Sequence, residues 1–389
     1  MKTHERWLLV MGAAFIHYEG IPSDPSLPAS IEVLTMKVLT MNRLAFATST
    51  SLRWSLTVGA ALAVTAMSHN PALAQDSKTA PESLWVTSIA LGKGHETCLM
   101  TTGTGLLLRP GTVSKTSVDQ LDKPTKLVEL PASAWKVLLL SSGNQAVATD
   151  YTGGVHIGNI SDDKSWKKLD TKTKWIRSMI ELKDGRILLG TEDGKLVTLK
   201  SDQTVSEPAE AHKGSIFCLS LSTDGAKILS SGGDGVVKLW NAADLKAEKE
   251  YKVGSQAVWS ASFAEGGKSI VTADANRRVN LFATETGKLL MTIGMLPDWG
   301  TSVTMLPDDI AAVTCLNGKV YLYDVRSRLK VTEVAGPGSG LWCAALCDDN
   351  QHLVVGTRSK GAASLATASW AAAIAETRKR AAEEMPPSP

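Results

Sequence analysis

Short apolar stretches separated by tight polar turns recur along most of the chain, and residues 211–252 show the plan most clearly. Ile216–Leu221 reads as a strand. Thr223-Asp224-Gly225 follows as a turn, because glycine tolerates positive φ and the Asp side chain caps nearby backbone. A second strand is expected over Lys227–Ser231, a tight hairpin at Gly233-Asp234-Gly235, a third strand over Val236–Trp240, and a fourth over 246–252. The next segment repeats the order, with Val258–Phe263, Ser269–Ala273, Val279–Phe282 and Leu289–Ile293 as strands. Corresponding positions keep step: Trp240 lies 42 residues before Phe282, which lies 41 before Tyr323, while Leu199 and Gly158 continue the 41-residue step backwards. A fixed period of this length marks stacked structural units. Seven first strands are expected, starting near Trp85, Trp135, Trp175, Phe217, Trp259, Thr301 and Leu341.

The unit 211–241 resembles a WD repeat, with Ala211-His212 where that family usually has Gly-His and Trp240-Asn241 where it usually has Trp-Asp. The resemblance covers about 85–365 and is strongest at 211–241. It implies an all-β protein, a seven-bladed β-propeller of four-stranded blades, with a short C-terminal helix added. It also implies a buried structural network of His212, Ser230 or its neighbour Ser231, Asp234 and Trp240, in which each polar group satisfies another. In the two following blades Asn276 and Phe282, then Asn317 and Tyr323, stand at the Asp and Trp positions. The last blade offers three strands, near 342–346, 352–357 and 362–367. Its fourth either comes from the stretch after Gln75 or is missing. Residues 75–368 are therefore expected to form the propeller. The Ala-rich stretch within 369–389, with Trp370 and Ile374, is expected to form a helix capping an edge, then a frayed Pro-rich tail.

The N-terminal pattern is of another kind. Arg43 and Arg53 precede the 12-residue apolar run Leu56–Met67, and Pro71-Ala72-Leu73-Ala74 stands before Gln75. A bilayer span needs roughly 20 residues, so the run reads as a signal peptide over 41–74, cleaved after Ala74. Residues 1–40 are then an upstream extension ahead of a true start at Met41, and the mature protein is expected to be secreted or periplasmic.

Composition narrows function more than it names it. Among 389 residues, 41 Lys and Arg balance 39 Asp and Glu, which excludes the broad basic footprint of a nucleic-acid binder. Five cysteines, Cys98, Cys218, Cys315, Cys343 and Cys347, are widely spaced. Export would permit a disulfide, with the pairing open. Cys343 and Cys347 do not form a CxxC pair, and no His cluster along the chain suggests a metal site. No HExxH, GxSxG, P-loop or EF-hand spacing is present, so no cofactor, metal or catalytic residue is expected.

An aromatic residue stands at or near each first-strand start: Trp85, Trp135, Trp175, Phe217, Trp259, Trp299 and Trp342. First strands of a propeller line its central channel, so these rings are candidates for a partner-binding face, or else for packing between blades. Trp85, Phe217, Trp259 and Trp342 share one expected register, with the other three offset. Arg177 and Asp298 lie nearby without forming a paired acid–base set. The basic tract Lys164-Ser165-Trp166-Lys167-Lys168 reads as an exposed edge strand rather than a polyanion site. The expected function is a monomeric, non-catalytic scaffold presenting a propeller face to other proteins or peptides, with glycans as a further partner class. It includes no transmembrane span. The alternative is a propeller enzyme or carbohydrate-binding protein working at the channel mouth.

Overall fold

The structure, a computed structural model, describes residues 84–384. The expected upstream extension 1–40, the signal peptide 41–74, the stretch from Gln75 to residue 83 and the tail from Met385 lie outside the described residues.

Seven antiparallel sheets follow one another along the chain, each built from sequence-adjacent strands. Their first strands are Trp85–Leu91, Ala134–Leu139, Ile176–Glu181, Ile216–Leu221, Val258–Ala264, Gly300–Leu306 and Leu341–Leu346. Six sheets have four strands, and the seventh has three among the described residues. The seven-bladed propeller read from the repeat is thus the fold, with four-stranded blades everywhere except the last.

Burial follows from this arrangement. Second strands such as Cys98–Gly103, Ser269–Asp274 and Ile310–Cys315 are buried at every residue, because neighbouring blades cover both faces. Continuous apolar and small-residue runs, rather than alternation, suit a strand covered on two sides. Outer strands face solvent: Asp162–Leu169 has no buried residue, and the Lys164–Lys168 tract lies on it. Between blades 1 and 2 the core gathers Leu99, Val113, Val137 and Ala148, and between blades 4 and 5 Leu229, Tyr251, Ile270 and Phe282. Each fully buried aliphatic side chain contributes about 1.5–3 kcal/mol.

Blade 7 meets blade 1 through the same kind of contact. Val86, Cys98 and Met100 pack against Cys343, Cys347 and Val354. Leu84 adds a parallel bridge to Lys360, its carbonyl accepting from the Gly361 amide at 3.3 Å. Face packing therefore closes the ring. Helix α1 (Ala371–Glu384) begins after a 3-10 turn at Thr367–Trp370. Trp370 and Ile374 pack with Val331 and Val334 of blade 6 and Leu353 and Leu365 of blade 7. Arg378 fastens the helix, donating to the buried Asp324 carboxylate at 2.9 Å and to the Asp308 carbonyl at 2.7 Å.

One glycine shows how the turns constrain the sequence. Gly235 in blade 4 has φ 78°, and a Cβ there would lie 2.1 Å from the Gly254 carbonyl oxygen, so no side chain fits.

Candidate functional site: the channel and its aromatic arc

In every blade the ladder between first and second strands slips by one residue near its start. The residues left bulged are Thr87, Trp135, Arg177, Phe217, Trp259, Thr301 and Trp342. A bulge re-aims its side chain and tightens the local twist. These seven are therefore structural equivalents. Two positions earlier stand Trp85, Ser133, Trp175, Ser215, Ala257, Trp299 and Gly340. Wherever the bulge carries an aromatic, the earlier residue is Ser, Ala or Gly. Wherever it carries Thr or Arg, the earlier residue is Trp. Each blade thus supplies one large ring at one of two levels. Trp85 belongs with Trp175 and Trp299, and Trp135 with Phe217, Trp259 and Trp342. The register expected from the sequence had Trp85 and Trp135 exchanged: Trp85 stands two residues before the bulge at Thr87, whereas Trp135 is itself the bulged residue, and the local apolar pattern does not mark where in each strand the bulge falls.

The rings form a continuous arc. Trp342 meets Trp85 with centroids 5.0 Å apart, Trp85 meets Trp135 at 5.5 Å, and Trp135 meets Trp175 at 4.6 Å. Phe217 meets Trp259 at 4.5 Å, and Trp259 meets Trp299 at 5.3 Å. Arg177 bridges the two groups, its guanidinium 4.1 Å from the Trp175 ring centre and 4.6 Å from that of Phe217. Desolvated cation–π contacts of this kind contribute about 2 kcal/mol. Burial holds Arg177 down at about 10, against the opposing pull of Glu192 and Tyr151. Trp85, Trp135, Trp175 and Trp259 are buried, whereas Phe217, Trp299 and Trp342 are partly exposed. The arc is chiefly packing, with three rings open to solvent.

A loop missed by the sequence reading flanks the arc. It joins the second and third strands of blade 1 beyond Gly103-Thr104-Gly105. Leu107 packs against the tryptophan cluster, and its carbonyl accepts from the Ser133 amide at 3.0 Å. Leu106 and Leu108 are 55% and 74% exposed. Other large apolar side chains are exposed too, among them Leu289 and Met295 on the outer strand of blade 5, but Leu106 and Leu108 are the pair that stands beside the arc.

One residue past each bulge stand Ser88, Lys136, Ser178, Cys218, Ser260, Ser302 and Cys343. Six of these, all but Ser178, line a cavity of about 150 Å³ bounded also by Trp135, Phe217, Trp259 and Trp342. A second space of about 390 Å³ continues toward Leu91, Leu139, Leu219 and Leu346 at the far ends of the first strands. Lys136 borders both spaces, standing in a ring of hydroxyls and thiols, and Arg177 lines the smaller of the two with it. Among the described residues no carboxylate forms an ion pair with Lys136. Burial lowers its pKa, Cys343 and Cys218 oppose that, and Arg177 adds to it. Burial pushes the Cys343 thiol up to about 12, so that thiol does not serve as a counterion at neutral pH. Sequence alone gave no sign of Lys136, since its tier becomes visible only once the bulges are located.

Blade 4 carries the structural network as expected, and the geometry selects Ser230 over Ser231. His212 Nδ1 lies 3.0 Å from Asp234 Oδ1, and His212 Nε2 lies 2.7 Å from Ser230 Oγ. The Trp240 indole donates to Ser230 Oγ at 2.8 Å. Burial alone would raise the Asp234 carboxyl, but hydrogen bonds from His212 and the Lys213 amide hold it at about 2. Blade 2 has its own variant, with His156 Nε2 2.8 Å from Asp150 Oδ2. All five cysteines are free thiols. No helix among the described residues is long and apolar enough to cross a membrane.

No curated protein matches the chain. Residues 203–241, the blade that holds the His212 network, match the family described as WD domain, G-beta repeat. The chain is thus a seven-bladed β-propeller in which one blade matches the WD repeat.

Proposed function

We propose that this propeller is a non-catalytic binding scaffold that works outside the cytoplasm and holds a protein or peptide on its aromatic face. WD propellers are commonly protein-interaction scaffolds, and the observation that carries the reading here is the pairing of two chemistries at one mouth. Leu106 and Leu108 offer exposed apolar surface beside the arc, and Lys136 offers inside it an ammonium group that no carboxylate among the described residues pairs. An apolar partner segment bearing a carboxylate suits both. The buried indole N–H groups of Trp85 and Trp175 meet no acceptor among the described residues, which adds to the preference for an acceptor-rich partner. The enzyme reading finds less support, since the residues lining the cavity include neither a carboxylate nor an imidazole for acid–base work. The extracytoplasmic setting rests on the apolar run and small-residue cleavage pattern ending at Ala74.

The test places a photo-crosslinking amino acid at Leu108, and separately at Lys126 on the outer strand of blade 1, in cells that export the protein. Defined adducts from position 108 alone, on a chain whose N-terminus is Gln75, are expected. Equal adducts from both positions would overturn the binding face. A cytoplasmic chain with an intact N-terminus would overturn the location.

A further inference from the structure

The ring seam brings together donors that lie far apart in sequence. His95, in the loop after the first strand of blade 1, has Nε2 2.7 Å from Asp349 Oδ2, across 254 residues. Asp349 belongs to the corresponding loop of blade 7, where His352 Nδ1 lies 3.3 Å from the same oxygen. The two imidazoles stand perpendicular, with centroids 4.7 Å apart. The Cys347 sulfur completes the group: the ligating atoms of His95, Cys347 and Asp349 all fall within 4.8 Å of one another.

We propose that His95, Cys347, Asp349 and His352 form a binding site for one tetrahedral divalent transition metal, zinc by its donor set, which staples blade 7 to blade 1. Two imidazoles, a thiolate and a carboxylate are a nitrogen–sulfur–oxygen set suited to zinc. Bond lengths of 2.0–2.3 Å place tetrahedral ligands roughly 3.3–3.7 Å apart. An ion would therefore part His95 Nε2 from Asp349 Oδ2, now 2.7 Å apart, and draw the Cys347 sulfur and the His352 imidazole, which already meets Asp349 at 3.3 Å, in toward the other donors.

The surroundings orient the donors. The Gln351 amide donates to Asp349 Oδ1 at 2.8 Å, leaving Oδ2 turned to the imidazoles. Asp119 Oδ1 lies 3.9 Å from His95 Nδ1, near enough to favour positive charge at the site but not to hydrogen-bond the ring. The loop itself is clasped to blade 1, because the Gly94 amide donates to Asp348 at 3.0 Å. Cys347 is buried, while the His95, Asp349 and His352 side chains are each about 30% exposed, which gives an ion a way in. The location suits a staple: blade 7 has three described strands, and the seam closes the longest loop in the fold, where a cross-link restricts the unfolded chain most. Binding would convert the thiol to a thiolate and release its proton.

The chelator-stripped full chain is titrated with cobalt(II) and then with zinc. One equivalent of cobalt should give intense tetrahedral d–d absorption and a thiolate-to-cobalt charge-transfer band, both abolished by zinc. Cys347→Ser should lose the charge-transfer band, and His95→Ala should weaken zinc binding by at least about 10-fold. Zinc should raise the Tm of the native chain and leave that of His95→Ala unchanged. Asp349→Asn, a near-isosteric change at a partly exposed side chain, provides a folded comparison, checked by circular dichroism. No stoichiometric uptake, or uptake with the same affinity in native and substituted chains, would leave the cluster as a hydrogen-bonded clasp and overturn the proposal.

Discussion

The thiol of Cys343 donates to the backbone carbonyl of Val86, 3.7 Å away across the ring seam. Val86 immediately precedes a bulge, and the same carbonyl is used at other blade junctions. Thr87 donates to Ala134 at 2.7 Å, Ser178 to Ile216 at 2.9 Å, and Thr301 to Leu341 at 2.9 Å. The seam is therefore one more blade junction, with sulfur in place of oxygen. Cys343→Ser places at the seam the hydroxyl that Ser178 has at its own, and the Tm should change by less than that of a typical core substitution. Gly356→Ala should destabilise by about 1–3 kcal/mol through overpacking. Its Cβ would stand 2.7 Å from the Cys343 sulfur and 2.8 Å from Val86 Cγ1. Urea unfolding of both variants checks the pair.

Lys136 costs stability where it sits, because burial disfavours its charged form and no carboxylate among the described residues compensates. Lys136→Met should unfold at higher temperature than the native chain at pH 7. The sign of the pH dependence follows from the lowered pKa. The unfolded chain binds the proton more tightly, so native stability rises as pH climbs from the folded pKa toward the unfolded 10.5. The advantage of the Met variant should accordingly shrink over that alkaline window. Thermal scans of both chains at pH 7 and above measure it.

Asp234 and Asp150 set the acid limb. Burial works against each carboxylate, but hydrogen bonds hold both at about 2, from His212 in one case and from His156 and Thr152 in the other, against 3.8 for the unfolded group. A depressed carboxyl contributes stability that is fully present above the unfolded value and lost as pH falls through the folded one. Each should contribute on the order of 2 kcal/mol near neutrality, lost between pH 3.8 and about 2. Asp234→Asn should lower stability at pH 6 and flatten the loss below pH 4. Denaturant titrations at stepped pH give both slopes.

Gly158 occupies in blade 2 the repeat position of Trp240, and the space is filled from the outer strand. A Cβ on Gly158 would lie 2.4 Å from the Trp166 ring. Gly158→Ala should cost about 1–3 kcal/mol. Adding Trp166→Leu should recover part of that loss, giving a favourable coupling in a double-mutant cycle.

The sequence by itself determined the number of blades, the strands within them, their glycine turns and the His212–Trp240 network. All of these rest on interactions within one repeat, where turn sterics and apolar patterning act over a few residues. Tertiary structure decided which residues share a level in the channel, because one bulge per first strand shifts the register and gives Thr87, Arg177 and Thr301 the same place as Trp135. It decided how the ring closes, through Val86 against Cys343 and Cys347. It also placed His95 beside Asp349. These arrangements join residues hundreds of positions apart, and only the curvature accumulated over seven packed sheets brings the two ends of the ring to one seam.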